Sequence, residues 1–121
     1  MILVDTSVWI DYLRVGNDRL AGLLDANLVL THPFIIGELA CGNLRNRTDV
    51  LSLLAGLPKT AAATDAEVLF LIDRHRLMGR GIGYVDAHLL ASAALSSPVD
   101  IWTRDKRLAA LAVDLGVAYR S

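Results

Sequence analysis

Cysteine, glutamate and aromatic residues are scarce in this 121-residue chain, and neither sign of charge is in surplus. One cysteine, Cys41, excludes an internal disulfide and any zinc site built on paired thiolates. It also makes the cytoplasm the expected compartment. The three histidines, His32, His75 and His88, lack paired metal-ligand spacing. A net charge of −1 provides no overall basic field, so a nucleic-acid partner must be argued from local patches. Long apolar runs are missing too: charge-free stretches such as residues 87–99 fall short of the roughly 20 residues of a spanning helix, so no membrane partner is expected. The opening MILVDTSVW has no basic segment and an acid at position 5, unlike a signal peptide.

Apolar side chains are abundant: they make up 54% of the residues. The length suits one domain, 1–121, around one core. So small a domain cannot hide all that apolar surface, and part of it is expected to cover a subunit or partner interface.

Residues 2–4 (ILV) read as a strand stopped by Asp5-Thr6-Ser7. SVWIDYLRV carries a helical stripe, Asn17 or Asp18 caps RLAGLLDA, and residues 28–31 form a second strand. Pro33 opens PFIIGELACGNL, a helix apolar on most sides and expected to be largely buried. A helix follows from Thr48-Asp49 to about Gly56-Leu57-Pro58, then a weak edge strand at 59–63. Thr64-x-x-Glu67 is a capping box opening a long helix through about Met78. Gly79, Gly81 and Gly83 form a loop before the helix YVDAHLLASAAL; Ser96-Ser97-Pro98 makes a turn, and VDIWT a strand. The last helix runs from Lys106 to Leu115, with VAY as a final strand. Strands alternating with helices imply parallel βαβ units and a three-layer α/β/α sandwich.

Eleven of the thirteen acids are aspartates, and most have an ordinary explanation. Glu67 belongs to the capping box; Asp18, Asp49 and Asp65 lie in first helical turns; Asp11, Asp25, Asp73 and Asp114 fall on polar helix faces; Asp100 opens a strand after a turn. Four fit less comfortably. Asp5 and Asp105 each follow a strand, where open parallel sheets bind ligands, although either could equally be a helix cap. Glu38 lies inside the apolar helix between Ile35, Ile36, Leu39 and Ala40, where burial would cost several kcal/mol without a cation or strong donors. Asp86 stands in a first turn just after the glycine loop, where a surface, dipole-stabilised aspartate is also an adequate reading.

Gathered together, such groups call for a cation. Two carboxylates about 4–5 Å apart repel by roughly 3–4 kcal/mol at an effective dielectric of 20. Protonation relieves this at the loss of charge, whereas a hard divalent cation relieves it directly. All-oxygen donors suit Mg²⁺ or Mn²⁺.

These residues also carry a resemblance. Val4-Asp5-Thr6-Ser7-Val8-Trp9-Ile10, Ile36-Gly37-Glu38-Leu39, Asp86-Ala87-His88-Leu89-Leu90-Ala91 and Thr103-Arg104-Asp105-Lys106-Arg107-Leu108 occur in the order and spacing of the PIN-domain nucleases, most closely the VapC toxins of bacterial toxin–antitoxin pairs. The ordered set of four is more specific than any member and covers nearly the whole chain. The resemblance implies a five-stranded parallel sheet, Mg²⁺ or Mn²⁺ held by Asp5, Glu38, Asp86 and Asp105, and endonucleolytic cleavage of RNA. Ser7 and Thr103 would be hydroxyls that orient carboxylates or water. A VapB antitoxin covering the site and a toxin homodimer are implied as partners. His88 departs from a segment that is often small or apolar in the family and receives no role.

An acidic pocket repels phosphate, so basic residues must surround it. Arg104, Lys106 and Arg107 flank Asp105, while Arg74, His75, Arg76 and Arg80 precede the glycine loop, and Arg45 and Arg47 follow the Glu38 helix. Arg104, Lys106, Arg107, Arg76 and Arg80 are the candidate RNA contacts, although a solvated helix end is the ordinary role of any one of them.

Other uses of a similar fold fit less well. A phosphoacceptor receiver needs paired acids after the first strand, a mid-chain aspartate ending a strand and a late lysine; here the second strand ends in Thr31-His32 and the last lysine is Lys106. A haloacid-dehalogenase-like phosphatase needs Asp-x-Asp where this chain has Asp5-Thr6-Ser7. A two-carboxylate glycosidase needs only two acids and usually a larger domain. The remaining alternative is a PIN-like interaction module that does not cleave, against which the presence of all four acids argues.

Overall fold

The computed structural model describes residues 1–96 and 98–120. Its elements are β1 (Ile2–Val4), α1 (Thr6–Val15), α2 (Asp18–Asp25), β2 (Val29–Leu30), α3 (Pro33–Ala40), α4 (Arg47–Gly56), α5 (Asp65–His75), α6 (Tyr84–Leu95), β3 (Asp100–Trp102) and α7 (Lys106–Asp114). Of the expected turn at Ser96-Ser97-Pro98, Ser97 lies outside the described residues, as does Ser121.

The sheet is parallel, in the order β2-β1-β3, with Ile2 opposite both Val29 and Asp100. Leu3 and Val4 project from opposite faces of β1, yet both are fully buried. Helices therefore cover both faces, as a sandwich around a parallel sheet requires.

Among the described residues there are three strands rather than five. The outer two expected strands are single parallel bridges, Thr31 to Lys59 on one edge and Ile101 to Ala118 on the other. Local chemistry explains the shortfall. Pro58 offers a carbonyl to Thr31 but has no N–H, and the alanines after Thr60 have weak strand preference. The Ala63 N–H goes to the buried Ser92 hydroxyl at 3.2 Å instead of a ladder. On the other edge Gly116, at φ 73°, delivers the chain to Ile101 for one reciprocal pair of bonds, made by Val117 and Tyr119.

α6 is the central helix: every residue from Ala87 to Ala93 is buried. It packs against β3 and α5, while α1 meets α3 and α3 meets α4. Trp9 is fully enclosed and meets Tyr12 edge to face at 5.8 Å, so it is a core residue. The Thr64–Glu67 capping box forms as expected. α5 stops three residues short of Met78 because Arg76 turns left-handed (φ 52°) and Leu77 folds back to the Ile72 carbonyl. α3 also departs from expectation: Ile35 and Leu39 face the core, whereas Phe34, Gly37 and Glu38 are exposed.

Candidate active site

The chain leaves β1 for β2 on one side and reaches β3 on the other only after α6. The crevice beyond the carboxyl ends of β1 and β3 is thus the point where strand order reverses, the usual ligand position in such sheets. The Asp5 N–H donates to the Trp102 carbonyl at 2.9 Å, which sets Asp5 beside Thr103 at that edge.

Asp5 occupies the N-cap position of α1 but makes no side-chain cap bond. Its buried carboxylate instead accepts at Oδ2 from the hydroxyls of Ser7 (2.8 Å) and Thr103 (2.7 Å). Each hydroxyl is fixed from behind: Ser7 Oγ accepts from the Arg104 N–H at 3.0 Å and Thr103 Oγ1 from the Asp105 N–H at 3.1 Å. With both protons committed to Asp5, the 3.3 Å approach of the two hydroxyl oxygens adds no further bond. The DTS and TRD segments are thereby tied together across 98 residues of chain.

Asp105 does what Asp5 does not. Its Oδ1 caps α7, accepting from the N–H groups of Arg107 (2.9 Å) and Leu108 (3.1 Å). Glu38 corrects its expected burial: it is exposed, and its Oε1 accepts from the Thr6 hydroxyl at 2.8 Å, so α1 rather than an apolar interior holds it.

Asp86 reports on all the others. Its half-buried carboxyl is pushed up to about 6 from an ordinary 3.8, chiefly by burial and then by the negative charges of Asp5, Asp105 and Glu38. The Gly83 backbone N–H offsets only part of this. The four acids named from the sequence therefore share one electrostatic neighbourhood.

Among the described residues, no three His, Cys, Asp or Glu side chains already stand in a ligating arrangement. The donor chemistry nonetheless suits a hard cation. Asp5 Oδ1, Glu38 Oε2 and Asp105 Oδ2 have no protein donor among the described residues, and Asp86 is raised by burial and then by its acidic neighbours, a penalty that a bound cation would offset.

The basic residues sort by partner. Arg104 is clamped to Asp11 of α1 at 2.7 Å, and Arg80 reaches Asp114 at the far end of α7 at 3.4 Å. Lys106, Arg107 and Arg76 are exposed and have no carboxylate partner among the described residues. Sequence reasoning missed Thr6 and Asp11. Thr6 lies within the DTS segment, but nothing local points to its contact with Glu38, and Asp11 looked like a solvated helix residue.

His88, left without a role by the sequence, is a buried residue of α6. It is buried beneath Phe34 and Tyr84 at ring separations of 4.8 and 4.7 Å, with Nε2 3.1 Å from Asp65. His32 caps α3 by accepting from the Phe34 N–H at 3.0 Å; burial, and secondarily the proximity of His88, holds its pKa below the ordinary value.

A parallel sheet with acids at its reversal crevice defines a class. A model of the PIN domain matches residues 2–114, and the chain belongs to that family. Its similarity to one curated relative is closer still: 52% identity over 118 residues to Ribonuclease VapC32 of Mycobacterium tuberculosis, in both strain CDC 1551 / Oshkosh and strain ATCC 25618 / H37Rv. The match covers 98% of this chain and 95% of the relative. No helix among the described residues is long and apolar enough to cross a membrane.

Proposed function

We propose that this chain is a metal-dependent endoribonuclease of the VapC kind, the toxin of a toxin–antitoxin pair. The observation that carries the reading is the strand-reversal crevice itself, where Asp5 is held by the Ser7 and Thr103 hydroxyls, Thr103 also accepts from the Asp105 N–H, and Thr6 beside Asp5 holds Glu38; the raised Asp86 agrees with it. The near end-to-end likeness to a protein named a ribonuclease supports RNA as the substrate.

Asp5, Glu38, Asp86 and Asp105 would hold Mg²⁺, or Mn²⁺ in its place. A divalent cation bound there supplies activation of water and neutralisation of phosphate charge. The chain's own residues prepare for it. Ser7 and Thr103 fix Asp5 Oδ2 and leave Oδ1 available. Thr6 steadies Glu38, and the α7 cap leaves Asp105 Oδ2 available. Asp86 must release its proton, which occurs above about pH 6. Lys106, Arg107 and Arg76, which have no carboxylate partner among the described residues, are the candidate cations for RNA phosphates, whereas Arg104 and Arg80 must first leave Asp11 and Asp114.

Attack by water yields 5′-phosphate and 3′-hydroxyl ends; 2′,3′-cyclic phosphate ends would reject the mechanism, because they require the RNA's own 2′-hydroxyl as nucleophile. The decisive test is RNA cleavage with Mg²⁺ or Mn²⁺, beside EDTA and Asp5→Asn controls. Cleavage is expected to vanish in both controls, and activity surviving either would overturn the metal-cluster reading.

A VapB-type antitoxin, a homodimer and a cytoplasmic setting complete the proposal. Exposed Leu69, Phe70, Met78 and Leu95 supply apolar surface for a partner. Light scattering that found a strict monomer, alone and with the product of the neighbouring gene, would count against both partners.

A further inference from the structure

The glycine loop between α5 and α6 lies along one face of α7. Its Arg80 reaches Asp114, and its Gly81 lies against the side chain of Arg107. A Cβ added at Gly81 would stand 2.6 Å from Arg107 Cδ, 3.0 Å from Nε and 3.2 Å from Nη1. A side chain at position 81 would therefore push the exposed Arg107 side chain out of this position, whereas glycine lets it lie against the loop.

Both ends of this contact adjoin elements that carry acids of the site. The Arg107 N–H donates to Asp105 Oδ1, and two residues beyond Gly81 is Gly83, whose N–H acts on Asp86. Arg107 therefore bridges α7, which Asp105 caps, and the loop that leads into the first turn of α6, where Asp86 stands. Arg104 and Arg80 are each engaged with an aspartate, whereas Arg107 has no carboxylate partner among the described residues. A held cation without a counter-ion beside an acid cluster is suited to an anion that the cluster itself would repel.

We propose that Arg107 binds a backbone phosphate of the RNA next to the cleaved bond, and that Gly81 is the positioning residue that seats it. This rests on the nuclease reading above. Glycine at position 81 serves the substrate through Arg107, in addition to allowing the loop its left-handed φ of 82°.

Gly79 supplies the control. It has a comparable φ of 70°, but a Cβ there would meet nothing within 4 Å. Gly79→Ala and Gly81→Ala thus share the backbone penalty and differ in contact with Arg107. The measurements are binding of a short single-stranded RNA to the full chain in EDTA, and KM and kcat with Mn²⁺. Arg107→Ala is expected to raise Kd and KM roughly tenfold, keep kcat within about twofold, and lower the salt slope of binding by about 1. Gly81→Ala should do the same several-fold, Gly79→Ala should not, and Gly81→Ala should add nothing to Arg107→Ala. Arg107→Lys, which leaves the loop sequence unchanged, should recover part of the binding and keeps the test open if Gly81→Ala folds poorly.

Equal effects of the two glycine variants, or a Gly81→Ala effect that persists without the Arg107 side chain, would overturn the seating role. An Arg107→Ala chain with wild-type Kd and salt slope would overturn the phosphate contact while leaving the nuclease reading intact. A wild-type chain that neither binds nor cuts RNA would overturn both.

Discussion

Asp5 stands where a helix cap belongs and turns its carboxylate onto two hydroxyls instead. A buried carboxylate needs such donors, since each one removed leaves charge unsatisfied at a cost of about 1–3 kcal/mol. Thr103→Val keeps the shape and removes one donor, so urea melts should show about 1–2 kcal/mol of destabilisation and cleavage should fall. Ser7→Ala should behave similarly. A Thr103→Val protein with wild-type stability and activity would mean that the hydroxyl is incidental. At this scale the sequence was a partial guide. Strand-end position put Asp5 in the crevice but could not show that its carboxylate leaves the helix uncapped, because the Thr103 hydroxyl that it accepts from lies 98 residues away. Glu38 was singled out for a burial it does not have; it reaches the site through a contact with Thr6 across 32 residues of chain.

The element scale reverses the roles. Asp105 both caps α7 and contributes charge to the cluster around Asp86, and two substitutions separate these tasks. Asp105→Ala removes the cap and should cost about 1 kcal/mol in addition to abolishing cleavage. Asp105→Asn keeps an acceptor for the Arg107 and Leu108 N–H groups, so its thermal midpoint should stay near wild type while cleavage is still lost. Full activity in Asp105→Asn would remove Asp105 from the metal-binding set. Elements were legible wherever the pattern was local: the capping box at Thr64, proline at the start of α3 and the apolar run of β1 all appear where periodicity put them. The outer strands were not, because pairing is decided by the neighbour. Residues 59–63 lose one ladder donor to the Ser92 hydroxyl, and residues 117–119 meet β3 in a single bridge.

At the scale of the whole molecule, the burial of Asp86, and secondarily the acids around it, makes stability depend on pH in a direction opposite to that of a salt-bridged aspartate. Asp86 titrates near 6 when folded and near 3.8 when unfolded. Between those values the folded chain holds a proton that the unfolded chain has lost, so metal-free stability falls as pH rises through this window and is level on either side. At about 1.4 kcal/mol per pKa unit the shift amounts to about 3 kcal/mol, which solvent screening of a half-exposed group reduces to about 1 kcal/mol. Other carboxylates titrate in the same range, so the quantity to measure is the difference between wild type and Asp86→Asn. In EDTA the variant should be more stable by about 1 kcal/mol at pH 7, and the two should converge near pH 4. If the proposed metal site is right, Mg²⁺ or Mn²⁺ is expected to reverse the order at neutral pH, because the cation would bind the folded wild type through all four carboxylates and the variant through three. That reversal should fade toward pH 5, where Asp86 keeps its proton. Identical pH profiles for the two proteins in EDTA would show that Asp86 does not feel the other three acids, and the shared pocket would lose its physical basis.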